Sequence, residues 1–113
     1  MTHLISREEL RQAIGTGSVT VIDALPASYY AQQHLPGALN LTSDEVTNRA
    51  GDLFPDTAAP IVTYCTNPAC GNSEAVAAQL TALGYTNVRR YREGIEDWAG
   101  AGLPTETGAP VAT

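Results

Sequence analysis

Two cysteines five residues apart, Cys65 and Cys70, are the side chains of this 113-residue protein best suited to covalent chemistry. Cys65 follows the apolar run Ile61-Val62-Thr63-Tyr64. The next residues, Thr66-Asn67-Pro68-Ala69-Cys70-Gly71-Asn72, are turn formers, and they give way to helical spacing at Val76, Ala77, Leu80 and Leu83. A strand therefore carries the Cys65 thiol to a loop that opens a helix. Free amides and the positive end of a helix favour negative charge, so this placement predicts a stabilised thiolate that can act as a nucleophile. The competing reading is an inert thiol that fills space in the core, the commoner use of a free cysteine. Asp23, closing the run Val19-Thr20-Val21-Ile22-Asp23, and His34 are the next candidates, as groups able to tune a thiol or to bond loop backbone.

Composition narrows the classes. The length suits one domain with its own core, and 43% hydrophobic with 16% charged residues describe a globular chain. No apolar run approaches the roughly 18 to 20 residues that span a bilayer, and the first residues carry neither a basic start nor a long apolar stretch. A cytoplasmic protein with no membrane partner is expected. A net charge of −6 with six basic residues excludes a general phosphate-backbone binder, so nucleic acid is not an expected partner. Two cysteines are too few for a four-ligand zinc site, and neither His3 nor His34 stands at finger-like spacing from them; no metal is expected.

The elements that must position these groups alternate along the chain. Ser6-Arg7-Glu8-Glu9 reads as a capping box ahead of a helix to about Ile14, and Gly15-Thr16-Gly17 stops it. Val19–Asp23 is a strand, and Pro26 to Gln32 a short helix or turn. His34 to Ala38 is a loop leading into a brief apolar stretch. Thr42 and Ser43 with Asp44 and Glu45 suit the first turn of a helix to about Ala50. Ile61–Tyr64 and Val88–Tyr91 are strands, with a helix between them ending at Gly84, and a last helix spans Ile95 to Ala101 with Trp98 facing inward. Alternation of this kind predicts an α/β fold, a small, mainly parallel sheet with helices on both faces. Ligands of such sheets bind at the carboxyl ends of the strands, where Asp23 and Cys65 fall. The tail from Thr105 is small and polar and is expected to be loose. Arg89, Arg90 and Arg92, the one basic cluster, read as mostly solvated.

Four segments in fixed order add a resemblance: Val21-Ile22-Asp23, His34-Leu35-Pro36-Gly37-Ala38-Leu39-Asn40, Tyr64-Cys65, and Gly94-Ile95-Glu96-Asp97-Trp98 with Gly102-Leu103-Pro104. Together they resemble the rhodanese-like sulfurtransferase domain over roughly residues 4 to 106, in a variant with a second cysteine in the active-site loop. The resemblance implies a rhodanese-like domain over residues 1–106, with residues 107–113 as a flexible tail. It implies that Cys65 is catalytic, accepting a sulfane sulfur from a small sulfur-containing anion or a persulfide and yielding it to a thiophilic acceptor, a protein thiol among them, with no cofactor. Thr66, Asn67, Pro68, Ala69, Cys70, Gly71 and Asn72 would form the substrate-binding loop. Backbone amides of that loop suit an anionic persulfide, except at Pro68, which has no N–H. Asp23 and His34 would be structural supports.

The chain departs from the family pattern at Thr66 and Cys70, where many members have basic residues, and at Leu25, where an arginine often follows the aspartate. The loop is therefore read as uncharged. Cys70 is a candidate resolving thiol, able in principle to attack a Cys65 persulfide. A non-catalytic binding or regulatory module, and a thiol redox switch built on Cys65 and Cys70, are the alternative functions. A phosphatase is disfavoured because its loop would have to end in an arginine clamp.

Overall fold

Residues 3–109 are described by the structure, a computed structural model. Ten elements follow one another: β1 (His3–Leu4), α1 (Arg7–Thr16), β2 (Thr20–Asp23), α2 (Ala27–Gln32), β3 (Leu39–Asn40), α3 (Val46–Leu53), β4 (Ile61–Tyr64), α4 (Asn72–Ala82), β5 (Val88–Tyr91) and α5 (Gly94–Gly100). The strands form one five-stranded sheet in the order β1-β5-β4-β2-β3, and every pair is parallel. This is the α/β architecture expected from the alternation. Neither β1 nor β3 leaves a strand signal in the sequence, because two residues are too few to display a period.

The central strand β4 has all four residues buried, as a strand covered on both faces requires. Its alternate side chains feed two cores. On one face Ile22 and Ile61 meet Val46, Ala50 and Phe54 around α3 and Val76, Ala77 and Leu80 of α4. On the other, Val21, Val62, Tyr64 and Tyr91 pack against Leu10, Tyr30, Ile95 and Trp98 from α1, α2 and α5. Helix α1 starts where the capping box predicts: Ser6 Oγ accepts from the Glu9 N–H at 3.1 Å, and the Ser6 N–H donates to Glu9 Oε1 at 3.2 Å. Helix α3 starts later than expected. Thr42 to Glu45 form a turn in which the Thr42 N–H and hydroxyl both donate to Glu45 Oε1, so the acidic residues cap the approach and do not form the first turn.

Part of the tail expected to be loose falls within the described residues. Glu106 exchanges backbone hydrogen bonds with His34 at 2.8 and 2.9 Å, and the Gly108 N–H donates to Ala31 O at 2.9 Å. Residues 110–113 of that expectation lie outside the described residues. No helix among the described residues is long and apolar enough to cross a membrane.

Candidate active site

Cys65 comes directly after β4, at the carboxyl edge of the sheet, and only 1% of it is exposed. The loop from Thr66 to Gly71 runs over it into α4. Part of that loop closes on itself through Asn67, whose carbonyl accepts from the Cys70 N–H at 3.0 Å and whose Oδ1 accepts from the Ala69 N–H at 2.9 Å. Two amides expected to face the Cys65 sulfur are therefore engaged elsewhere. The backbone amides of Asn72 and Thr66 favour ionisation of Cys70, and the Ser73 amide that of Cys65.

The Cys65 sulfur lies 3.2 Å from Ser73 Oγ and 3.3 Å from Cys70 O, so its S–H can donate to either. Ser73 is itself fixed. Its carbonyl accepts from Thr63 Oγ1 at 3.0 Å, and its hydroxyl oxygen accepts from Arg90 Nε at 2.8 Å. Arg90 also donates from Nη2 to Cys70 O at 3.1 Å, and its Nη1 stands 3.9 Å from Glu74 Oε2. Arg90 is 9% exposed. The reading of this arginine as mostly solvated is corrected: it lies under the loop, which has a cation after all, supplied by the neighbouring strand. The signal was present in the sequence. Arg90 has the parity of buried Val88, and a strand between two others with helices on both faces has no solvated side. Ser73 was missed for a different reason, because a serine in a first helical turn has many uses.

Ionisation of the two thiols follows from this geometry. Burial pushes the Cys65 thiol above the usual cysteine value, and the Cys70 side chain adds to the rise against smaller help from the Ser73 hydroxyl and amide. The thiolate-stabilising effect expected of the helix end is thus outweighed by desolvation at Cys65. Cys70 moves the other way. Partial burial opposes its ionisation, but the Cys65 thiol, the Asn72 and Thr66 amides and the Arg90 charge together hold it below the usual value.

Asp23 and His34 do not touch either sulfur; both belong to a buried network behind the loop. Asp23 Oδ1 accepts from the Leu25 N–H at 2.8 Å and Oδ2 from the Tyr64 hydroxyl at 2.6 Å, while the Tyr64 hydroxyl accepts from the Leu35 N–H at 3.0 Å. His34 Nδ1 lies 2.7 Å from Tyr30 O, and its ring stacks on Tyr30 with centroids 3.7 Å apart. On the other side of the loop, the first turn of α5 is bonded to it: the Ile95 N–H donates to Cys65 O at 2.9 Å and the Glu96 N–H to Thr66 O at 3.0 Å. Trp98 anchors that helix in the core and donates its indole N–H to Pro104 O at 2.8 Å.

A parallel sheet that presents a cysteine loop at its carboxyl edge, roofed by the following helix and clamped by the last one, has counterparts among known proteins. Residues 6–101 match the family described as Rhodanese-like domain. The chain is 35% identical over 107 residues to the HTH-type transcriptional regulator Rv0324 of Mycobacterium tuberculosis, covering 95% of this chain but 46% of that one, so it spans about half the length of that relative. It is 32% identical over 105 residues to a sulfurtransferase of Allochromatium vinosum, covering 92% and 94% of the two chains. Among solved structures, the BH2092 protein from Bacillus halodurans superimposes with a TM-score of 0.85 at 25% identity over 94% of this chain and 77% of that one. A rhodanese with anions from E. coli gives 0.67 at 29% identity over 80% and 99%. Fold and loop define the class, a small α/β domain with a thiol site. The chain belongs to the rhodanese-like domain family.

Proposed function

We propose that this domain is a sulfurtransferase that moves a sulfane sulfur through a persulfide on Cys65. The observation that supports it most is the support built around one sulfur: Cys65 Sγ lies 3.2 Å from a hydroxyl that is itself bonded at 2.8 Å by a buried arginine. With Arg90 donating to Ser73 Oγ, the Ser73 hydroxyl hydrogen is free to turn towards an anionic sulfur, which gains more from such a donor in a desolvated site than in water. In the first half-reaction a loop thiolate attacks the outer sulfur of a small donor such as thiosulfate, and sulfite leaves with the bonding pair. In the second, a nucleophilic acceptor, cyanide or a thiol, takes that outer sulfur and the cysteine returns. The residues assigned to the loop are Thr66, Asn67, Pro68, Ala69, Cys70, Gly71 and Asn72, with Asp23 and His34 holding the strand ends and connections behind it.

The test is mass spectrometry after incubation with thiosulfate, together with the thiocyanate assay. Native protein gains one sulfur and turns over; Cys65→Ser keeps its fold, changes stability by under about 1 kcal/mol, and loses most of its thiocyanate production. Turnover at the native rate by Cys65→Ser would overturn the assignment. Failure of the native protein to gain sulfur from any donor would favour the non-catalytic binding or regulatory module. A second reading, a thiol redox switch, is favoured by one specific observation, the approach of the Cys65 sulfur to within 3.3 Å of the Cys70 backbone oxygen, which makes the two cysteines neighbours in the loop. Peptide mapping after mild oxidation distinguishes it, since a switch accumulates an intramolecular disulfide without a sulfur donor.

A further inference from the structure

The two thiols of the loop stand at different depths. Cys65 is closed over, whereas Cys70 is partly exposed. A donor approaching from solvent meets the Cys70 sulfur first, and reaches Cys65 only if the loop opens. The surroundings differ in the same sense. The Asn72 and Thr66 amides favour the ionised form of Cys70, and its own carbonyl is bonded to the Arg90 guanidinium at 3.1 Å. The oxygens nearest Cys65, Cys70 O and Ser73 Oγ, accept from its S–H in the resting state, an arrangement that suits a thiol waiting in neutral form. The Cys65 sulfur lies 3.3 Å from the backbone oxygen of Cys70, so the two cysteines are neighbours across the loop.

From this arrangement we propose that Cys70 is the first sulfur acceptor, taking the sulfane sulfur from the donor and handing it inward to Cys65. The proposal rests on the sulfurtransferase reading and adds a step to it. The Cys70 thiolate attacks the outer sulfur of thiosulfate; the S–S bond of the donor breaks, sulfite departs with its electron pair, and Cys70 carries the persulfide. The Cys65 thiol then passes its proton to that outer sulfur, and the resulting Cys65 thiolate attacks it. The bond between the outer sulfur and Cys70 breaks, its electron pair stays on Cys70 as thiolate, and the protonated persulfide now sits on Cys65. One proton changes sulfur, one S–S bond forms for each that breaks, and no external oxidant or reductant enters. The lower basicity of Cys70 relative to Cys65 favours it both as the thiolate present at neutral pH and as the leaving group of the second step. The deeper thiol then stores the sulfur away from water until an acceptor opens the loop.

Because the chain has only two cysteines, single variants report the site of loading directly by intact mass. Native protein, Cys65→Ala, Cys70→Ala and Cys70→Ser are each pulsed with thiosulfate and quenched with an alkylating agent, with folding checked by circular dichroism. The expected result is that Cys65→Ala gains one sulfur, on Cys70, at a rate close to native, and that both Cys70 variants load Cys65 at least about tenfold more slowly. Loading of Cys65 at the native rate in Cys70→Ala or Cys70→Ser would overturn the relay and leave the sulfurtransferase reading standing, as would a folded Cys65→Ala that gains no sulfur. If native protein gains none from thiosulfate or from a low-molecular persulfide, the sulfurtransferase reading fails and the relay with it.

Discussion

Arg90 shows how much a single side chain in a thiol site owes to the strand that carries it. Its guanidinium reaches the site from β5 and bonds both Ser73 Oγ and Cys70 O, the two oxygens around the Cys65 sulfur. A cation beneath a loop acts on charge that develops on the protein's own sulfur, whereas a cation at the rim would act on the incoming donor. Removing it should therefore disturb ionisation. In Ser73→Ala the pH at which Cys65 becomes alkylated should rise, and in Arg90→Gln that of Cys70 should rise, with Arg90→Lys falling between the variant and native protein. Alkylation followed across pH by peptide mapping checks this, and an unchanged profile in both variants would reduce the Arg90–Ser73 pair to a structural brace. Cys65 and its loop were legible from the run Ile61–Tyr64 and the turn formers after it. The chemistry around the sulfur was not, because Arg90 lies 25 residues away in sequence and reaches it only through strand pairing, Thr63 being the β4 partner of Arg90.

Among the elements, α5 acts as a clamp whose grip depends on its first residue. Gly94 has φ +76, and a Cβ built there would lie 2.4 Å from Thr66 O and 2.5 Å from Thr66 C, both backbone atoms. This close approach lets the next two amides of α5 bond the carbonyls of Cys65 and Thr66. Gly94→Ala combines left-handed backbone strain with a collision against the loop, so it should cost more than about 2 kcal/mol and depress sulfur transfer beyond what the loss of folded protein explains. A thermal melt alongside activity per folded molecule measures both, and a variant of native stability would mean that the loop yields easily at Thr66. The Gly-Ile-Glu-Asp-Trp run had marked this helix in the sequence, together with its inward Trp98. What it could not show was the clamp, since contact between two loops depends on the packing of β4 against β5. Likewise β1 and β3 left no periodic trace and exist because β5 and β2 offer them partners.

At the scale of the molecule, the carboxyl edge of the sheet holds a buried polar network around Asp23, which is 0% exposed and accepts from Tyr64 and Leu25. Burial raises its carboxyl above the ordinary value of 3.8, against smaller opposing effects from the Tyr64 hydroxyl, the Leu25 amide and His34. The folded protein thus holds the proton more tightly than the unfolded chain. Between the unfolded and folded pKa values the native state binds more protons, so stability falls as pH rises through that window and levels off above it. Each unit of upward shift corresponds to about 1.4 kcal/mol. Asp23→Asn lacks this titration: the melting temperature of native protein minus that of the variant should decline as pH rises from just below 4 and then become constant. A difference that is flat across the range would show that Asp23 titrates normally in the fold.

The position of β5 has a further consequence, for how the molecule comes into being. Among the described residues it is the last strand in sequence, yet it sits inside the sheet, between β4 and the first of them, β1. During synthesis β1 has no neighbour to pair with until residues 88–91 have emerged, and closing that long interval is slow compared with forming the local helices. Arg90 and the α5 clamp arrive with the same late segment. On a growing chain the two thiols therefore wait without clamp or counter-charge, and the site is completed only once residues 88–100 have emerged.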